Sequence, residues 1–566
     1  MSNKKPIVTV GISRVHNSSV TLLVDGELVF HMENERLSNI KYDSYPFHIL
    51  SKLPEYVEHV DNICLAGVGK TVPAECFTDH DIYTTFISRL NKQFYNHEIK
   101  VYDLWDQHHK LHAACAFYNS GFTDAVCIIK DGMGSDVALN DSMFKPGSYG
   151  RESASTFVAS YPANFELVEN YIAFPYNGSA TTGKSFVSNH LSEAMAFQKT
   201  SIQFGFHTLD AGKVMGMSSY GVYDENIPPI YEDDGLINRD LFVVDNNDLT
   251  TTRLNVEHYP YLNTDNFQIQ ANFAWALQRA VEQVIKQYIL DIVNKTGKHN
   301  VCLSGGFFLN CVANYEFLKD LPSNINIYVE PISSDAGTSL GAAKYNWHQQ
   351  QNDYTIRPQR SLYHGLNYSY TADIIASKIQ HLNSKIVSSL DVAKLLADKK
   401  IVAIYQGRSE AGPRALGNRS ILYDPRDIGG KDHINNVKQR EWFRPFAGTV
   451  LHDHVHDWFD LRGLTESPFM MFAVDVNENK QAVIPAITHV DGTCRIQTLT
   501  KEQNKHYYEL INSFYELTNI PILFNTSFNL AGDCIVETID DAVNTFQKSA
   551  IDYLYLPEFN ILVSKL

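Results

Sequence analysis

Runs of β-forming residues alternate with helical periodicity along the whole chain, which restricts the fold to α/β or α+β. The strand-like runs are PIVTVGI (6–12), SVTLLVDGELVF (19–30), AVCIIKDG (125–132) and IVAIY (401–405). Asp25-Gly26 divides the second run as a two-residue hairpin turn does. From Ala271 to Thr296, apolar residues recur at 273, 277, 281, 284, 285, 288 and 292. That spacing is one face of a helix, and Gly297 supplies its stop. The polar stretch His348–Asp353, with Pro358 after it, is the predicted linker. It predicts two domains, residues 1–350 and 359–566.

The 566 residues carry 64 acids against 47 bases, a net charge of −17. Such acidity argues against a broad basic surface for duplex nucleic acid but leaves room for one nucleotide in a pocket. No apolar run approaches the roughly 20 residues a membrane-spanning helix needs. Polar Met1–Lys5 leads directly into a strand, so no signal peptide is expected. The eight cysteines (64, 76, 115, 127, 302, 311, 494 and 534) form no CxxC pair. They read as buried thiols of a reducing, cytoplasmic enzyme.

If HHKLHAACAFY (108–118) is helical, His108 and His112 lie one turn apart on one face. Two imidazoles so placed can share a metal ion, although a polar helix face has the same spacing. His109 points elsewhere, toward a second layer or the surface. Asp131 ends an apolar strand and begins Asp-Gly-Met-Gly; Asp335 lies among small residues in SSDAGTSLGAA. Two imidazoles and two carboxylates suit Fe²⁺, Mn²⁺ or Zn²⁺. Two glycine-rich segments could cradle a nucleotide: Ser304-Gly305-Gly306, after the apolar VCL, and Gly212-Lys213-Val-Met-Gly216. Neither is a P-loop or a Rossmann fingerprint.

From Ile401 to Pro445, eight Lys or Arg stand against five acids, in a chain that is acidic overall. Arg414, Arg419, Lys438, Arg440 and Arg444 sit amid Gly and Pro, with Arg495 and Asn525-Thr-Ser527 farther on. Guanidinium forks bind phosphate oxygens in pairs. A solvated basic face is the competing explanation.

Taken in order, these stretches resemble one family, the O-carbamoyltransferases of nodulation and antibiotic type, which include the tobramycin and cephalosporin carbamoyltransferases. The resemblance runs through GISRVHNSS (11–19), ENERLSNIKYD (33–43), HHKLHAACAFY, GKVMGMSSYG (212–221), LSGGFFLNCVAN (303–314) and DAGTSLGAA (335–343). It continues through QGRSEAGPRALGNRSILYDPR (406–426), VKQREWFRPFAGTVL (437–451) and FNTSFN (524–529). GPRALGNRSIL is its most specific part. The resemblance implies a two-lobed N-terminal domain of actin/hexokinase type, ribonuclease-H-like, related to tRNA threonylcarbamoyl-transfer enzymes. It implies a YrdC-like C-terminal domain that forms carbamoyl-adenylate from carbamoyl phosphate and ATP, with Mg²⁺ accompanying the ATP. The carbamoyl group then passes to an acceptor hydroxyl in the first domain.

By the same resemblance, His108, His112, Asp131 and Asp335 hold a divalent metal, iron before manganese or zinc. His16 is the general base on the acceptor, and Lys41 lies near it. Gly212, Lys213, Gly216, Ser304, Gly305, Gly306 and Asn310 contact a nucleotide. Arg414, Lys438, Arg444, Arg495, Asn525 and Ser527 bind carbamoyl phosphate and ATP. The chain departs from the family at Asn17, where Asp is usual, at Ser135, where an acid is usual, and at Gly-Asp-Cys (532–534) in place of Gly-Glu-Pro. These departures bear on the acceptor: a sugar or other small molecule, or the hydroxymethyl group of a modified pyrimidine. Threonylcarbamoyl transfer to tRNA and a nucleotide sensor without turnover are the remaining readings. A monomer and a homodimer both fit the composition.

Overall fold

The computed structural model describes residues 5–68, 79–139, 144–175, 179–244 and 251–566. Cys76 lies outside the described residues; the seven other cysteines are free and buried. Among the described residues, no helix is long and apolar enough to cross a membrane. The chain forms two compact units, one of Met1–Asn34 and Tyr42–Gln359, the other of Glu35–Lys41 and Arg360–Leu566.

In the first unit, β1 (Val8–Ser13), β2 (Ser19–Val24), β3 (Glu27–Glu33), β4 (Asn62–Ala66) and β5 (Lys100–Asp103) form one sheet. Their order is β3-β2-β1-β4-β5. Asp25 and Gly26 both take positive φ (50° and 80°), as the predicted hairpin turn requires. The second sheet contains β6 (Asp124–Lys130), β7 (Asp136–Ala138), β8 (Tyr149–Ser160), β9 (Asn164–Ala173), β10 (Ser179–Thr182) and β11 (Ser185–Ser188). A ribbon of β12 (Phe242–Val243) and β13 (Arg253–Leu254) precedes its last members, β14 (Asn300–Ser304) and β15 (Asn326–Val329). The path β9-β8-β6-β14-β15 repeats the order of the first sheet. In each, the second strand runs antiparallel to the other four. A ribonuclease-H-like sheet occurring twice is the expected actin/hexokinase-type layout.

Helices pack closely on these sheets where small residues allow it. A Cβ on Gly11 in β1 would lie 2.0 Å from the Ser339 carbonyl oxygen. One on Gly341 would lie 2.0 Å from that of Leu111. The helices His108–Ser120 and Gly337–Gln351 therefore meet backbone to backbone. Buried Lys344 donates to Asn119 Oδ1 (2.6 Å), and Asn119 Nδ2 donates to Glu330 (2.9 Å), tying the two helices together. The long predicted helix spans Phe267–Thr296 and ends at Gly297, whose φ is +66°.

The predicted linker is corrected. His348–Gln351 form the last turn of the helix Gly337–Gln351, and Asn352 closes it in the left-handed conformation. Asp353 then accepts from the Trp347 indole (2.7 Å) and from Arg357 (2.7 Å). Glutamine and histidine are polar yet helix-compatible, so polarity alone misplaced the break.

The second unit is built on one sheet, whose members are β16 (Asn383–Ile386), β17 (Val402–Tyr405), β18 (Arg419–Tyr423), β19 (Ala447–Leu451) and β20 (Phe459–Asp460). The others are β21 (Ala473–Val476), β22 (Thr493–Leu499), β23 (Ile522–Ser527), β24 (Tyr553–Leu556) and β25 (Ile561–Ser564). The order is β16-β25-β24-β17-β18-β23-β19-β22-β21-β20. Only β17/β24 and β19/β22 pair in parallel.

Candidate active site

His108 and His112 open their helix with both side chains fully buried, as the spacing anticipates. Their Nε2 atoms are 3.2 Å apart. Asp131, just past β6, brings Oδ2 to 3.4 Å from His108 Nε2. Asp335 precedes the helix Gly337–Gln351, and its Oδ1 lies 3.5 Å from Nε2 of both His108 and His112. Its Oδ2 lies 3.4 Å from His16 Nε2.

The surrounding bonds fix which atoms face inward. His108 Nδ1 is 3.1 Å from the Gly67 carbonyl, which only accepts, so Nδ1 carries a proton and Nε2 is the nitrogen turned toward the carboxylates. His16 Nδ1 faces Asn17 Oδ1 at 2.9 Å, with the same consequence for its Nε2. Asp131 Oδ1 accepts from the Gly306 N–H (2.9 Å). Lone pairs of three imidazoles and two carboxylates thus converge, which requires protons or a cation. Burial pushes His108 down, but Asp335 and Asp131 outweigh it and hold the imidazole up at about 10. Burial would raise Asp335, yet His16 and His108 hold it well below the carboxylate range. The atoms of His108, His112, Asp131 and Asp335 all lie within 4.8 Å of one another. Two nitrogens and two carboxylate oxygens at that spacing fit a first-row divalent ion.

His109 is fully buried, bonded through Nδ1 to Ser155 Oγ (2.8 Å), and burial lowers it to about 3. It is a neutral member of the layer behind the ligands and not a surface group. His16 is half-exposed. Burial lowers it, but Asp335, the Asn17 hydrogen bond and Asp131 together outweigh burial, so it sits above its ordinary value.

The glycine segments divide. Ser304-Gly305-Gly306 is a turn at the end of β14, where Gly305 takes φ +97° and a Cβ would lie 2.4 Å from the Lys130 carbonyl oxygen. This close approach puts the Gly306 N–H on Asp131 and leaves Ser304 Oγ buried without a partner. Gly212, Lys213 and Gly216, expected in a loop, lie in the helix Ala211–Ser218, and Lys213 pairs with Asp210 at 2.9 Å. Asn310, expected on a nucleoside, has both ends of its amide engaged. Its Oδ1 caps the following helix at the Ala313 N–H (3.1 Å), and its Nδ2 donates to Gln278 (2.9 Å).

The second unit gathers cations. Lys438 ends the helix Gly430–Lys438 and donates to Asn529 Oδ1 (2.9 Å), the Asn529 carbonyl (2.8 Å) and the Ser527 carbonyl. Burial first, then Arg440, Arg444 and Lys41, push its amine well below the lysine range. Arg440 lies 4.0 Å over the Phe446 ring and donates to Asn435 Oδ1 (2.6 Å). Burial, Arg444 and Arg495 bear on it in the same direction. Five cations repelling one another, with Glu441 beside Arg444 at 3.6 Å, mark an anion site. Lys41, expected near His16, belongs to this unit and adds its charge to this cluster.

Asn525 donates to Thr449 Oγ1 (3.0 Å) and the Ala415 carbonyl (3.2 Å), so it holds the loop carrying Arg414. Glu410 braces that loop by accepting from the N–H groups of Leu416 (2.7 Å) and Asn418 (2.8 Å). Ser527 Oγ donates to Asn529 Oδ1 (2.7 Å). Arg419 is fully buried on backbone carbonyls and over the Tyr405 ring, so it supports structure and binds no phosphate. Sequence reasoning missed Arg36. It is only 2% exposed and donates to the Gly412 carbonyl (2.9 Å), with Nε and Nη1 left unpartnered. Nothing in its sequence neighbourhood signals a partner more than 370 residues away.

Comparison with known proteins adds to this geometry. Residues 54–344 match the family model described as carbamoyltransferase N-terminus, and residues 393–564 match carbamoyltransferase C-terminus. The nodulation protein NolNO of Sinorhizobium fredii is 30% identical, covering 97% of this chain and 79% of that protein. NolO of Bradyrhizobium diazoefficiens is 33% identical, over 80% of this chain and 78% of that protein. An uncharacterised Synechocystis protein is 30% identical over 97% of this chain and 96% of its own length. Among solved structures, full-length HypF in its phosphate- and nucleotide-bound form aligns with a TM-score of 0.35 and 14% identity, over 62% of this chain and 47% of HypF. A ROK family protein of Streptococcus pneumoniae aligns at 0.31 and 10% identity, over 61% of this chain and 99% of that one.

Proposed function

The chain belongs to the carbamoyltransferase family, and from that premise we propose that it is an ATP-dependent O-carbamoyltransferase that works through carbamoyl-adenylate. The second unit, read as YrdC-like, carries the activation step. Water releases phosphate from carbamoyl phosphate, a carbamate oxygen attacks the α-phosphorus of ATP, and pyrophosphate leaves. Lys438, Arg440, Arg444 and Arg495 hold the phosphates and stabilise the charge that builds on the leaving groups. Arg414 joins them from the loop braced by Glu410.

The first unit carries the transfer step. His16 Nε2 takes the proton of the acceptor hydroxyl, the hydroxyl oxygen attacks the carbamoyl carbon, and AMP leaves. The Ser304–Gly306 turn, whose Gly306 N–H holds Asp131, lines the place that receives its phosphate. His108, His112, Asp131 and Asp335 would hold a divalent metal, with iron as our first choice. A metal there supplies Lewis-acid polarisation of the carbonyl or anchorage of the phosphate. The observation that carries this reading is His16, a half-exposed imidazole whose Nε2 lies 3.4 Å from the buried ligand cluster. The acceptor is read as a sugar or other small-molecule hydroxyl, and the enzyme as cytoplasmic, in keeping with its free, buried cysteines.

The test is mass spectrometry of the protein with ATP and carbamoyl phosphate, first alone and then with a panel of sugars and a 5-hydroxymethylpyrimidine nucleotide. The expected result is carbamoyl-adenylate, AMP and pyrophosphate from the native protein and none from Arg495→Ala. Carbamoylation of a sugar completes the reading. Carbamoylation of the pyrimidine alone would change the acceptor, and absence of AMP with every acceptor would overturn the reaction.

A further inference from the structure

We propose that His59, Asp61 and His97 form a second divalent transition-metal site, at the opposite end of the first sheet from the buried centre. Two separate segments bring these residues together: the turn before β4 supplies His59 and Asp61, and the turn before β5 supplies His97. Asp61 Oδ1 lies 2.8 Å from His97 Nε2, and Oδ2 lies 3.3 Å from His59 Nε2. The two rings meet edge to face with centroids 4.8 Å apart. One ligand atom from each of the three residues falls within 4.8 Å of the other two.

The site is built into the sheet. Asp61 Oδ2 accepts from the Val8 N–H (2.7 Å), which orients the carboxylate. The Asp61 N–H donates to the Val8 carbonyl (3.0 Å), and its carbonyl accepts from the Lys100 N–H (2.8 Å). The residue is thereby fixed to the starts of both β1 and β5. His59 is 8% exposed, and its Nε2 faces two acceptors, the Pro6 carbonyl at 3.1 Å and Asp61, so the ring is held in place with its proton on Nε2, which must pass to Nδ1 before that nitrogen can bind a metal. His97 and Asp61 remain about a third exposed (31% and 28%), which leaves the cluster open to solvent on one side.

Two imidazole nitrogens and one carboxylate oxygen are a donor set for Zn²⁺, Co²⁺, Ni²⁺ or Cu²⁺, with the outward position left for water. Binding would move the Nε2 proton of each neutral imidazole to Nδ1, so that Nε2 and the Asp61 carboxylate, now hydrogen-bonded to each other, would face the metal instead. The site stands apart from the buried centre. Gly67, whose carbonyl holds His108, follows β4, whereas Asp61 precedes it, and the six residue steps between them, through the five residues of β4, span roughly 20 Å. A metal here would fasten the starts of β1, β4 and β5 and take no part in carbamoyl transfer.

The test loads the metal-stripped full-length chain with Co²⁺ or Zn²⁺, then removes excess ion and counts bound metal by mass spectrometry. The native protein is expected to keep two equivalents. His97→Gln, a change at a partly exposed position, is expected to keep one while retaining transferase activity, with its Zn²⁺ affinity at the second site lowered at least tenfold. As a second arm, Asp335→Asn/His112→Ala removes the buried centre, and one equivalent with a Co²⁺ visible spectrum is expected to survive. Equal metal content in native and His97→Gln proteins would overturn the proposal, as would no Co²⁺ uptake by the double variant.

Discussion

Asp335 offers one carboxylate oxygen to His108 and His112 and the other to His16, so the proposed ligand set and the proposed general base share one residue. Asp335→Asn removes that charge while keeping the side chain's size. Bound metal and acceptor carbamoylation are expected to fall by about a hundredfold or more, whereas AMP formation from ATP and carbamoyl phosphate stays within about twofold of native. Equal loss of both half-reactions would place Asp335 outside the transfer step. A separate residue-scale effect concerns His190, which is buried between Ser153 Oγ (2.5 Å) and Ser188 Oγ (2.8 Å). Burial lowers it from 6.5 to about 4. Between those values the unfolded chain takes a proton that the folded chain refuses, so stability falls as pH drops from 6.5 to 4. The full effect is about 3 kcal/mol, and His190→Gln is expected to flatten that limb in thermal unfolding measured at pH 7 and pH 4.5. The buried group of His108, His112, Asp131 and Asp335 is legible because a helical i, i+4 pair and two carboxylates beside glycines each leave a local trace. Asn310 caps a helix, a role for which the sequence gives no sign distinct from a ligand contact, because both use the same residue type after the same glycine turn.

At the scale of elements, the first site depends on how closely the helices His108–Ser120 and Gly337–Gln351 approach. A Cβ at Gly341 would meet the Leu111 carbonyl at 2.0 Å, and that oxygen cannot move without its helix. Gly341→Ala is expected to cost about 1–3 kcal/mol by overpacking and to weaken metal binding, because His112 shifts relative to Asp335. Chemical unfolding together with metal titration would show both effects. If both were unchanged, the close contact would have no bearing on the site. Secondary structure was legible where periodicity was strong, as in the hairpin at Asp25-Gly26 and the long helix ending at Gly297. Two segments rich in polar or small residues, Gly212–Gly216 and His348–Gln351, were read as loop or linker and are helical. In both, tertiary packing of a helix overrides a weak local preference. The duplication of the strand order leaves no periodic trace in the sequence, since matching strands share a place in the sheet and not their residues.

For the whole molecule, the chain contributes to the second unit twice. It departs from the first unit after Asn34, gives Glu35–Lys41 to the second, and returns at Tyr42. Arg36 is buried within that unit with two unpartnered nitrogens. A fragment of residues 360–566 would therefore lack a buried cation as well as Lys41. Its ATP- and carbamoyl-phosphate-dependent AMP release is expected to be at least about tenfold below that of the same fragment with residues 33–43 joined through a flexible linker. That factor corresponds to about 1.4 kcal/mol, within the usual range for a hydrogen bond to a charged group. Equal rates would mean that Glu35–Lys41 contributes nothing to the activation site. The stretch near residue 350 that reads as a linker is helical, and the insertion of seven residues leaves no trace in the sequence, because membership of a unit is a long-range property.

That insertion changes how such chains can recombine. A single crossover near residue 359 would join one parent's C-terminal half to the other parent's residues 35–41, so the hybrid pocket would receive a foreign segment. Inheritance that keeps the pocket intact needs a double exchange, with the short stretch travelling alongside the distant half. Chimeras made by the simple cut should fail first at activation, however well each half is preserved.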